Sequence, residues 1–221
     1  MEAHMTNIFT LEQCMAAACA AHRINGKYVR RNDATEDTPA NNWLMVSILR
    51  EQTHLLTHAD TQSGEMVITY LQHKLPELIA ETLQDYWRNA VLLTDKTEIS
   101  LEDFRTIAFL ASVPGSVYNA CAREQVADEI AARKENSRCI GKPGDDFPRS
   151  QLTIMGSVYS RNYFKHYHTA HDADGNVFRF PLSEQLEVGS HHQIAGRIHK
   201  HDQNMTILHY VRVKKPVDTS A

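Results

Sequence analysis

Basic, aromatic and histidine side chains crowd the last third of this 221-residue chain, and their spacing is the first feature that suggests chemistry. The candidates are Tyr159, Arg161, Tyr163, Lys165, Tyr167, Arg179, Phe180, Arg197, Lys200, Tyr210, Arg212, Lys214 and Lys215. Binders of single-stranded nucleic acid combine a cationic groove that follows the phosphates with aromatic platforms on which bases stack. Side chains two apart share one face of a strand, so Lys165, Tyr167 and Thr169 fall together on a strand over 164–171. On a strand over 205–213 the same alternation groups Leu208, Tyr210, Arg212 and Lys214, with Ile207, His209, Val211 and Val213 opposite. In this reading Lys165, Arg179, Arg197, Lys200, Arg212 and Lys214 neutralise phosphates, while Tyr163, Tyr167 and Tyr210 stack on bases. An ordinary solvated sheet surface carries the same side chains equally well.

The histidines raise a second chemistry. His166-x-His168, His171, His191-His192 and His199-x-His201 place imidazoles at strand spacing, and neutral imidazole is a good zinc ligand. No cysteine or carboxylate stands at a recognised ligand spacing from them, so they read as weak, pH-dependent surface cations, with no metal or other cofactor expected. Asp172-x-Asp174-Gly175-Asn176 lacks the sixth-position glycine and closing glutamate of a calcium loop and reads as a turn. No phosphate-loop, GxGxxG, GxSxG or HExxH motif is present. The expectation is therefore a non-catalytic protein, with a zinc-dependent enzyme on the 166–171 and 199–201 histidines as an alternative. Cys14, Cys19, Cys121 and Cys139 form no CxxC pair and read as free, buried thiols of a reducing cytoplasm.

The elements that must hold these residues divide the chain in two. Residues 1–136 carry 12 Lys/Arg against 19 Asp/Glu, whereas residues 137–221 carry 11 against 8 and eight of the 13 histidines. A polyanionic partner is drawn to the second part. The first part reads as helical: Thr10 to about Ile24 with Gly26 beyond its end, a second helix from Ala40–Asn42, and a broken stretch over 60–93 in which Pro76 opens a new helix carrying Leu78, Ile79, Leu83, Tyr86 and Trp87. Ser100 and Asp103 cap a helix through Phe104 and Leu110, Pro114 breaks it, and a last helix runs to about Glu135. Trp43 and Trp87 read as core. The Gly- and Pro-rich segment 136–149 marks the boundary between a helical domain over 1–136 and a barrel domain over 137–221. Strands are expected at 151–159, 164–171, 176–181, 192–199 and 205–213, with hairpin turns at Asp172–Asn176 and His201–Asn204. Five hairpin-linked strands suit a small OB-like barrel, and an SH3-like barrel is the nearest competitor. The fold class is α+β: an all-helical region followed by a five-stranded OB-like β-barrel. No apolar run is long enough for a membrane span, and the start lacks a secretory pattern. The opening MEAHM leaves Met5 as a candidate native start.

The run Ile194-Ala195-Gly196-Arg197-Ile198-His199-Lys200-His201, followed by Thr206-Ile207-Leu208-His209-Tyr210-Val211-Arg212-Val213, resembles the closing hairpin of OB-like domains in bacteriophage replication and recombination proteins. Asp172–Phe178 resembles the turn such domains place between their second and third strands, and Cys139-Ile140-Gly141-x-x-Gly144 resembles the entry to their first strand. Ile24-Asn25-Gly26-Lys27-Tyr28-Val29 is similar to a stretch of phage-encoded proteins. The resemblance covers about residues 139–213. It implies single-stranded DNA binding in phage replication or recombination, in the cytoplasm of an infected bacterium. Single-stranded nucleic acid, DNA favoured, is the expected partner, and the helical region offers a surface for a protein partner or self-association. The alternative is an adaptor whose barrel binds a replication or host factor. The end KKPVDTSA lacks an acidic tail, so partner recruitment through such a tail is not expected.

Overall fold

A computed structural model describes residues 7–214, so Met5, Lys215 and the C-terminal end lie outside the described residues. The chain divides into two compact units, residues 1–121 and 122–221. The expected α+β class is present, with helices first and a closed five-stranded barrel after them. The division falls within a helix rather than at the composition boundary near residue 136.

In the first unit β1 (Ile8–Thr10) leads directly into α1 (Leu11–Asn25). Thr10 caps α1 by accepting from the Gln13 amide, the Gln13 side chain returns the bond, and Gly26 ends the helix in the left-handed region. Nine residues of α1 are buried, five of them alanine. These small side chains let α3 (His58–His73) come so close that a Cβ on Gly64 would sit 2.9 Å from the Ala16 backbone nitrogen. The α1–α3 pair is locked by Arg23, whose guanidinium donates twice to Asp60 at 2.8 and 2.9 Å. Around this pair lie α2 (Asn41–Arg50), α4 (Leu75–Ile79), α5 (Asp85–Leu92), α6 (Phe104–Leu110) and the start of α7 (Val113–Asn136).

Two local features depart from the sequence reading. The helix expected to run from Pro76 through Trp87 is two helices, because α4 closes at once in a Schellman motif. The Thr82 amide donates to the Glu77 carbonyl and the Glu81 amide to that of Leu78, with Glu81 in the left-handed region at φ 55°. No glycine marks that stop. Asp103 caps α6 as expected, but Ser100 ends a short strand, β2 (Glu98–Ser100), which pairs antiparallel with β1. Trp43, read as core, is half exposed with the Arg31 guanidinium 5.4 Å over its ring. All four cysteines are free, but Cys139 is exposed and Cys121 only half-buried.

The second unit is a barrel of β3 (Asp146–Ser160), β4 (Lys165–His171), β5 (Val177–Leu182), β6 (His191–Asp202) and β7 (Met205–Lys214), in the closed order β3-β4-β5-β7-β6. β5 and β7 pair in parallel and every other neighbour is antiparallel. Closure leaves no sheet edge, and β3 manages it by pairing with β6 through its first half and β4 through its second. Leu152, Ile154, Ala170, Phe178, Phe180, Ile194, Ile198 and Leu208 fill the interior. In the Asp172–Asn176 turn Asp172 accepts the amides of Asp174 and Asn176, and Gly175 takes φ 85°. Gln203 and Asn204, both at positive φ, form the second hairpin turn. The end of α7 is tied to that turn: Asn204 Nδ2 donates to the Lys134 carbonyl and Ser137 Oγ to the Asn204 carbonyl.

Two compensating bulges interrupt the β6–β7 ladder. Ala195 pairs with Arg212 and Arg197 with His209, so Gly196 faces two residues, Tyr210 and Val211. His199 is the extra residue on β6, between the Ile198–Leu208 and Lys200–Ile207 pairs. Tyr210 absorbs the first bulge at φ 51°. Alternation is therefore reset. Leu208 points into the core, and beyond the bulge Val211 and Val213 pack against it. The expected grouping of Leu208 with Tyr210, Arg212 and Lys214 does not hold, because the inserted residue moves everything after it to the other face.

Candidate active site

Within the first unit a pocket of about 620 Å³ opens between the end of α1, the segment after it, α5 and the first turns of α7. Its mouth is set by the turn at Gly26. The buried Asn41 side chain accepts from the Val29 amide at 2.9 Å, and the Asn41 amide donates back to the Val29 carbonyl. This clamp holds residues 26–30 in place, so Lys27, Tyr28 and Arg30 all line the pocket. Among the described residues neither Lys27 nor Arg30 makes an ion pair, and no carboxylate lines the pocket.

His22, in the last turn of α1, forms the inner wall. Burial holds its pKa below the usual histidine value, so the ring is neutral at neutral pH with one nitrogen free to accept a proton. Its ring stands edge-on to Tyr118 at 5.3 Å. Burial pushes the Tyr118 hydroxyl well above the usual tyrosine range, so it stays protonated. Cys19, raised to about 11 chiefly by burial, is no nucleophile. Gly115 closes on the imidazole: a Cβ there would lie 2.9 Å from His22 Nε2.

Three hydroxyls form the far wall. Tyr86 donates to Ser116 Oγ at 2.8 Å and lies 3.1 Å from Ser112 Oγ. Ser112 donates to the Phe109 carbonyl and Ser116 to the Ser112 carbonyl. Each hydroxyl proton is thus committed, which makes the serines part of the scaffold rather than nucleophiles. The N-terminal end of α7 adds partial positive charge beside them. Reading the sequence missed this site, because its residues come from well-separated segments. The available signals were a histidine on an alanine-rich helix followed by Lys27-Tyr28-Val29-Arg30-Arg31, and Gly115-Ser116 at a helix start.

The residues singled out from sequence lie on the barrel, in a separate unit from that pocket. Tyr163, Lys165, Tyr167 and Tyr210 line one groove of about 490 Å³ with Pro181, Leu182 and His209. Arg179 stacks over Tyr167 at 5.6 Å. Arg197 and Arg212 line a neighbouring depression that Tyr210 also borders, and Arg197 Nε donates to the Gly144 carbonyl. Lys200 and Lys214 line neither depression: Lys200 pairs with Ile207 and Lys214 with Gln193, toward opposite ends of the β6–β7 ladder. The histidines are not uniformly surface cations. His168 is fully buried, with Nε2 3.0 Å from the Glu184 carbonyl and Nδ1 without a partner. Burial lowers its pKa, so it is a neutral core residue. The bulged His199 stacks on His209 at 3.9 Å with the rings 7° from parallel. Among the described residues no three His, Cys, Asp or Glu side chains are grouped to hold a metal ion.

No family model matches the chain, and no solved structure does. Over 113 residues it is 30% identical to a protein of Citrobacter koseri described as uncharacterized Nudix hydrolase NudL. The aligned part is 48% of this chain and 57% of that protein, so the chain spans little more than half of the relative's length. The similarity lies with a hydrolase and not with a phage replication or recombination protein. It overturns the expected phage lineage, the expectation of a non-catalytic protein and the assignment of single-stranded DNA binding. Among the described residues no helix is long and apolar enough to cross a membrane.

Proposed function

We propose that the chain is a hydrolase acting on a phosphate-bearing small molecule in the pocket around His22. The observation that carries this reading is the pocket's charge: among the described residues Lys27 and Arg30 make no ion pair, and no carboxylate lines the pocket with them. That charge sits within a stretch, residues 1–136, where acids outnumber bases 19 to 12. A cationic pocket in an acidic region selects an anion. The planar fork of Arg30 suits two phosphate oxygens and Lys27 adds a point charge. Neutral His22 takes the proton from a water molecule as that water attacks phosphorus and the phosphorus–oxygen bond to the rest of the substrate breaks, the departing oxygen taking up a proton from solvent. The base's role is worth roughly 10²–10⁴ in rate. The hydrolase named among similar proteins supports the reaction class.

The test is release of inorganic phosphate from a panel of phosphorylated small molecules by the purified full chain. Turnover is expected, with H22Q lowering kcat by about 10²–10⁴ and R30A acting chiefly on KM. Absence of turnover across the panel, or an H22Q variant with unchanged kcat, overturns the reading.

A further inference from the structure

The β3–β4 hairpin of the barrel exposes aromatic surface beyond the edge contact of Tyr163 with Tyr167. Tyr163 and Phe164 at its tip are 67% and 76% exposed, and Val158 on β3 is 67% exposed. Phe164 takes φ 51°, a conformation bulky side chains seldom adopt. From Gln151 to His171 the sequence has no Asp or Glu, while Arg161 and Lys165 flank the aromatics. Aromatic and arginine side chains are enriched among the anchors of protein interfaces, and an acidic surface complements this one.

A complementary surface exists on the first unit of the same chain. Ile79, the last residue of α4, is 82% exposed. Around it stand Glu77, Glu81 and Asp85; Glu77 is held by Lys74 at 3.0 Å, which leaves Glu81 and Asp85 as the acids that face a partner. The Schellman turn that ends α4 holds Glu81 beside Ile79 in the left-handed region.

We infer that two copies of this chain associate, the Phe164 hairpin of one docking on the Ile79–Glu81 turn of the other. Each contact joins two different surfaces, so the hairpin and the turn left over on each pair close reciprocally within a dimer or take up further copies. Because ion pairs frame it, the association weakens with salt.

The test is sedimentation velocity of the full chain from low to high micromolar concentration, at low and high salt, independent of any catalytic assay. The expected result is a weight-average mass that rises with concentration and falls with salt. F164S and I79S should each remain monomeric, with unchanged circular dichroism. The charge reversal R161E/K165E should abolish association, and mixing it with E81K/D85K should restore a complex of the two variants. A wild-type chain that stays monomeric throughout, association that survives both F164S and I79S, or failure of the reversed pair to combine overturns the inference. Binding of an acidic polymer such as heparin to the hairpin, without self-association, also overturns it.

Discussion

Gly115→Ala isolates the pocket from the fold. The added methyl carbon would lie 2.9 Å from His22 Nε2 and 3.0 Å from Cδ2, with the Tyr28 side chain a comfortable 3.9 Å away. The obstructing atoms are the far end of a side chain, so the imidazole can turn aside while the backbone stays. Leaving its preferred rotamer costs about 0.5–1.5 kcal/mol, and giving up the edge contact with Tyr118 costs a similar ~0.5–1.5 kcal/mol. Alanine in place of glycine inside a helix returns up to about 1 kcal/mol. The net lies between roughly zero and 3 kcal/mol of destabilisation, or up to about 10 °C in Tm at ~2–4 °C per kcal/mol for a chain of this size. Phosphate release, in contrast, should fall by about 10²–10⁴ because the base no longer faces the water. Calorimetry and the phosphate assay on one preparation give both numbers. Wild-type turnover alongside a small Tm change refutes His22 as the base. A loss beyond about 4 kcal/mol would mean that Gly115 serves packing rather than the site.

Gly64→Ala should behave in the opposite way although it enjoys the same helix-propensity gain. Its methyl meets the Ala16 backbone at 2.9 and 3.2 Å, which cannot turn aside, so α1 and α3 must separate at a cost of about 1–3 kcal/mol or more. Urea unfolding that shows equal or greater stability would refute the close crossing. His168 predicts an acid limit for the barrel. Burial lowers its pKa in the folded state below the unfolded value of about 6.5. Its contribution to stability is therefore present above pH ~6.5 and is lost as pH falls through the folded pKa. H168L should lose about 1 kcal/mol at neutral pH by leaving the Glu184 carbonyl unpaired, yet show a flatter decline between pH 7 and 5. Parallel declines in both proteins would count against a titrating His168.

The barrel was legible because period-two alternation and the Asp172–Asn176 turn are local signals that its closed architecture reinforces. The helix starts at Thr10 and Asp103 and the stop at Gly26 were legible for the same reason. What escaped notice were positive-φ residues that are not glycine. Glu81 stops α4 and Tyr210 resets β7, and neither side chain announces the conformation it adopts. The pocket escaped because His22, Arg30, Tyr86 and Ser116 are each unremarkable within their own segments, and only the Asn41 clamp and the Gly115 approach bring them together. The barrel residues, by contrast, were conspicuous in sequence because strands display their exposed faces at a fixed interval. That visibility reports where side chains are exposed rather than what they do.

The bulge at Tyr210 gives β7 one residue that the interior never consults. If Tyr210 were deleted, Leu208 and Val211 would stand two apart, the spacing that a regular strand needs to keep both inside. The inward-facing sequence of this strand therefore reads the same with or without the extra residue. At 80% exposure, Tyr210 is a position where a lineage can insert, delete or exchange a side chain without renegotiating the core.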